Sequence, residues 1–132
     1  MPLLAAVLVL VTACAPIPSK DEALHDRLVG KWATARRFEN GHQQESIELS
    51  QDGLARIVRT YHDANGSSTT VMHGTWRVER GEFVLQSSDR ANSAASGIPV
   101  ERRQRIVVVT DWEWVMDEPP GVPKFRAWRY PK

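Results

Sequence analysis

The sequence predicts an all-β fold: a small antiparallel up-and-down β-barrel of about 8–9 strands behind a short N-terminal helix. Three observations carry this. From Lys31 onward the chain breaks into short segments rich in β-branched and aromatic residues. They are parted by turn formers: Glu39-Asn40-Gly41, Gln51-Asp52-Gly53, Asn65-Gly66, Arg80-Gly81 and Glu118-Pro119-Pro120-Gly121. Several segments alternate apolar and polar residues, the period of a half-buried strand. A meander of so many short strands best removes its exposed edges by closing into a barrel.

Leu3 to Val11 is an apolar run, far shorter than the roughly 20 residues a transmembrane helix needs, and of the size of a signal-peptide core. Taken alone, it also suits a buried N-terminal element whose lone thiol packs as a small hydrophobe. The run leads into Val11-Thr12-Ala13-Cys14, which resembles the lipobox of bacterial lipoproteins. That resemblance implies cleavage before Cys14 and lipidation of its sulfur, which anchors the protein through an N-terminal lipid in the cell envelope. Ala15, where an Asp would mark inner-membrane retention, then favours the outer membrane facing the periplasm. The chain divides into a signal peptide (1–13), a tether with a short helix (14–27) and a barrel domain (28–132). With one cysteine in the chain, an internal disulfide is excluded.

Ala15 to Ser19 holds two prolines and reads as an extended tether. Ser19-Lys20-Asp21-Glu22 fits a capping box, and Ala23, Leu24, Leu28 and Val29 follow at helical spacing until Gly30. Strands are expected at 32–38, 45–49, 55–61, 69–73, 75–79, 82–87, 104–109, 111–116 and 125–130. Alternation points Ile47 and Leu49 to one face, Trp76 and Val78 to one face, and Phe83 and Leu85 likewise. In the 111–116 segment it groups Trp112, Trp114 and Met116 opposite Asp111, Glu113 and Asp117, so both tryptophans are expected inside. The segments 55–61 and 125–130 mix Arg with apolar residues on each face and cannot be oriented this way. The polar stretch Ser88 to Pro99 reads as a flexible connection.

A short helix leading into Gly30-Lys31-Trp32 resembles the G-x-W opening of the lipocalins and the wider calycin group, and Gly74-Thr75-Trp76-Arg77-Val78 resembles segments of small bacterial lipocalin-like lipoproteins. The resemblance implies that the helix closes one barrel end. It also implies that Trp32 packs beneath an arginine of the last strand, Arg126 or Arg129. The chain is shorter than a typical lipocalin and has no family disulfide.

Composition limits function. A net charge of +1 leaves no nucleic-acid footprint, and Arg102-Arg103-Gln104-Arg105 reads as a solvated strand end. His25, His42, His62 and His73 lack metal-ligand spacing, and no serine sits in a nucleophile elbow. No catalytic residue, metal or cofactor is therefore expected, and the protein is read as a non-enzyme. What remains is a lipid-anchored envelope protein whose barrel binds a small apolar or amphipathic ligand, lined by Trp76, Phe83, Trp112, Trp114 and Met116. The alternative is a protein-interaction or inhibitor module of the envelope without a ligand cavity.

Overall fold

Eight antiparallel strands pair in chain order, and the last closes on the first to form a barrel. The computed structural model describes residues 19–87 and 100–130. Cys14 and the other residues of 1–18, and the polar stretch 88–99, lie outside the described residues. Helix α1 (Lys20–Leu28) precedes β1 (Gly30–Phe38), β2 (Gly41–Leu49), β3 (Leu54–Asp63), β4 (Gly66–Glu79), β5 (Glu82–Ser87), β6 (Glu101–Val109), β7 (Glu113–Met116) and β8 (Phe125–Arg129).

Helix α1 starts where the capping signal lies. Ser19 Oγ accepts a hydrogen bond from the Glu22 amide at 3.2 Å, satisfying one of the free donors of the first turn. Asp21 fastens the helix to the barrel by accepting from the backbone amides of Arg80 (2.8 Å) and Gly81 (2.9 Å) in the β4–β5 turn. Leu28 is fully buried, and Leu24 and Val29 pack against the same core. The helix therefore lies across one end of the barrel, the closed end. The opposite end, the mouth, is ringed by the β1–β2 and β3–β4 turns and the β7–β8 connection.

Two strand expectations need correction. The segments 69–73 and 75–79 are one continuous strand of 14 residues, β4. Gly74 does not turn the chain. It lets β4 press against β5, where a Cβ would stand 2.3 Å from the carbonyl oxygen of Gln86. The strand expected from Asp111 begins only at Glu113, because the Thr110 hydroxyl accepts from the amides of Trp112 (3.2 Å) and Glu113 (3.0 Å) and shapes a turn there. Trp112 thus belongs to a turn, alternation does not govern it, and its side is 73% exposed rather than inward.

The outer wall shows how a long strand face is covered without a second layer. Val84 is completely buried although it points away from the barrel core. Its register neighbours are Arg77 on β4 and Arg103 on β6. These arginines and two acids form a ring: Arg77–Glu79 at 2.9 Å, Arg103–Glu101 at 2.7 Å, and cross pairs at 3.7 Å. The arginine stems roof the valine while the charged ends stay in water. The Arg77 hydrogen bond, then the Arg103 charge, holds the Glu79 carboxyl below the usual carboxylate range. A lowered folded-state value means the contribution is fully present above the unfolded carboxylate range and disappears as pH falls from there through the lower folded-state value. Melting temperatures of wild type and Glu79→Gln should accordingly differ most near pH 7 and converge as pH falls below the usual carboxylate range. A gap that stays constant across that range would show the ring to be energetically silent.

Candidate functional site

The barrel interior changes character from the closed end to the mouth, and the change can be followed along each strand. At the closed end Trp32 is fully buried and donates its indole N–H to the Leu28 carbonyl at 2.8 Å. The Arg129 guanidinium lies 4.2 Å over its ring. Arg129 also donates to the carbonyl of Val29 (3.0 Å), to that of Arg27 (2.5 Å) and, through Nε, to that of Asp111 (2.8 Å). One side chain thereby collects carbonyls from the end of α1 and from the β6–β7 turn, which would otherwise lack donors. Gly30 makes room for it: its φ is +132°, and a Cβ there would lie 2.6 Å from Arg129 Nη1. Of the two arginines singled out from sequence, Arg129 takes the place over Trp32. Arg126 instead pairs with Glu113 on the outer wall at 2.6 Å.

Above this seal lies a floor of aromatic rings. His25 of α1 stacks on Trp76 at 4.4 Å, Trp76 faces Phe83 at 6.1 Å, and Phe83 meets Trp114 edge to face at 4.9 Å. Trp114 also meets Trp32 at 5.7 Å and Phe125 at 5.0 Å in the same manner. Trp76, Phe83, Trp114 and Met116 are all buried in one cluster with Ile47, Leu49, Ile57 and Leu85. Trp114 Nε1 has no hydrogen-bond acceptor among the described residues. The structure brings these four residues together in the core, where they pack on one another. Trp112 is not among them.

Toward the mouth the inner face turns polar. Strand register continues the inward set from Ile47 to Glu45 and Gln43, from Ile57 to Arg59 and Tyr61, and from Trp32 to Thr34, Arg36 and Phe38. Glu45 pairs with Arg59 at 3.4 Å and accepts from Gln43 Nε2 at 2.8 Å. On the other side of the mouth, Arg102 and Gln104 face inward opposite Leu85 and Phe83, and Gln104 donates to Glu118 at 2.8 Å. Phe38 and Tyr61 stand with ring centroids 6.0 Å apart. With Glu39, Asn40 and Gln43 they line an open concavity of about 450 Å³ at the rim. A second concavity of about 370 Å³ lies outside the barrel, between α1 (Asp21, Glu22, His25, Asp26) and Gln51, Arg77 and Val78.

The mouth residues Phe38, Gln43, Glu45, Arg59 and Tyr61 were not singled out from sequence. Their signal was present in the continuation of the Trp32 and Ile47 alternation, but it is carried by polar and charged residues that ordinarily mark an outer face. No group of three or more His, Cys, Asp or Glu side chains is arranged to hold a metal among the described residues. His42 and His62 do stack at 4.7 Å across β2 and β3.

Neither a protein-family model nor a curated protein matches the chain. Two solved structures resemble it. One is a lipocalin-like protein from Bacteroides uniformis, with a TM-score of 0.51 and 12% identity, covering 79% of this chain and 99% of that one. The other is an uncharacterized protein from Bacteroides eggerthii, with a TM-score of 0.49 and 16% identity, covering 77% and 98%. The closed eight-stranded barrel, its capping helix and the first of these likenesses give the chain a lipocalin-like fold.

Proposed function

We propose that this protein is a lipid-anchored component of the bacterial envelope whose barrel takes up a small amphipathic molecule at its mouth. One observation carries the binding reading: the inner face is divided between a ring-packed floor and a polar upper half with Glu45 and Arg59, and the open concavity at its rim is lined by Phe38, Glu39, Asn40, Gln43 and Tyr61. An apolar chain fits against the two rings and the exposed edge of the floor. A polar head fits among the amide, the carboxylate–guanidinium pair and the inward Arg36 and Arg102. Sites of this kind are mostly apolar with a few placed polar groups. The floor rings support the ligand from below.

The anchor rests on the Val11-Thr12-Ala13-Cys14 motif and the prolines that follow it. Replacing Cys14 by Ala is expected to move the protein from the membrane to the soluble fraction, and unchanged fractionation would remove this part of the reading. For binding, a fluorescent fatty acid should titrate the wild-type protein saturably. Phe38→Ala and Tyr61→Ala should each weaken its dissociation constant by about 5- to 20-fold, the equivalent of roughly 1–2 kcal/mol of lost apolar contact. A titration without saturation, or one indifferent to both substitutions, would count against a mouth site.

A further inference from the structure

Large aromatic residues also stand outside the barrel, and they gather near the closed end. Trp112 is 73% exposed, Trp128 54% and Tyr130 44%. Backbone pairing holds them close together: the Arg129 amide donates to the Trp112 carbonyl at 2.9 Å, and Trp128 pairs with Glu113 and Ala33 on either side. The Tyr130 amide donates to the Lys31 carbonyl at 2.9 Å, and Lys31 Nζ sits 4.9 Å over the Tyr130 ring. The neighbouring cations are already engaged. Lys31 pairs with Glu48 at 3.4 Å, Arg126 with Glu113 at 2.6 Å, and Arg129 is spent on carbonyls. The patch is therefore aromatic and nearly neutral. Rings with an apolar body and one polar handle are the side chains that settle at a membrane–water boundary.

The route of the chain supplies the second argument. Asp21 pins the start of α1 to the β4–β5 turn, which is also at the closed end. The stretch from Cys14 to Ser19 spans at most about 18 Å at roughly 3.5 Å per residue. A lipid on Cys14 would hold this end, and not the mouth, against the bilayer. We infer that Trp112, Trp128 and Tyr130 form a docking face for the phospholipid bilayer surface, which seats the barrel with its mouth directed away from the membrane. The inference rests on the Cys14 anchor reading for its geometry. It adds that the ligand enters from the aqueous side. With Lys31, Arg126 and Arg129 each engaged among the described residues, docking should depend little on anionic lipid or on salt.

The test uses the full anchored protein reconstituted in vesicles of dibrominated phosphatidylcholine and, for reference, of unbrominated phosphatidylcholine. Trp32, Trp76 and Trp114 are shielded in the core, so bromine should quench only Trp112 and Trp128. Total emission is expected to fall by roughly a third, and the loss should vanish in Trp112→Phe/Trp128→Phe, which keeps the fold. Undiminished emission in an anchored protein overturns the inference while leaving the anchor intact. Shielding of these tryptophans from aqueous iodide without bromine quenching overturns it too, since a second copy of the chain or another protein then covers the face. Should Cys14 prove unmodified, the same vesicles added to the unanchored chain decide the matter: quenching of Trp112 and Trp128 supports the face, and its absence refutes it.

Discussion

Replacing Trp32 by alanine is expected to lower the free energy of unfolding by about 3–5 kcal/mol, the range for deleting a large buried aromatic side chain. The site has little means of collapsing. Trp32 is wholly buried, its indole N–H is committed to Leu28 of α1, Trp114 abuts its edge, and Arg129 covers its face. Removing the ring leaves a void beneath a guanidinium that still has to reach the carbonyls of Arg27, Val29 and Asp111. Helix α1 should therefore loosen along with the barrel. Urea denaturation followed separately by tryptophan emission and far-ultraviolet circular dichroism would report both events. A loss below about 1 kcal/mol would show that the closed end is not sealed by this residue.

The second large effect is expected at Gly74, whose substitution by alanine should destabilise the fold by about 1–3 kcal/mol, as overpacking does elsewhere. The added Cβ would meet the Gln86 carbonyl oxygen at 2.3 Å, and that oxygen belongs to backbone and not to a side chain that can swing aside. The β4 and β5 strands would have to part at Gly74–Ser87, where β4 begins its pairing with β5. Thermal melting of Gly74→Ala against wild type measures this. Equal stabilities would mean that the strands have slack at that point.

These two residues also illustrate what was legible in the sequence. Trp32 stood in a recognisable setting, with a capped helix before it, a glycine two residues ahead and an arginine in the last strand. The structure then chose Arg129 over Arg126 because only Arg129 lies on the inner face of β8. Gly74 misled, since a glycine within a strand reads as a break unless the close approach of a neighbouring backbone is known. Trp112 misled for a related reason. Asp111 and Glu113 alternate with Trp112 and Trp114, yet the Thr110 hydroxyl organises a turn that delays the strand to Glu113. The mouth was the least legible feature. Apolar alternation marks an inner face only where that face is dry, and along β1, β2 and β3 the inner face passes into water partway along each strand.

The division between a solid floor and an open mouth can be measured by the affinity of a homologous series of fatty acids of increasing chain length. The inner face from Ile57 to Tyr61 runs about 13 Å along the strand at roughly 3.3 Å per residue, or about 10 Å along the axis of a barrel with tilted strands, close to the length of an eight-carbon chain. Affinity is expected to rise by up to about 0.8 kcal/mol per methylene at first, and to level off near that length because the rings below do not give way. A gain that continues undiminished to sixteen or eighteen carbons, together with quenching of the Trp76 and Trp114 core, would mean that the floor opens to admit the chain.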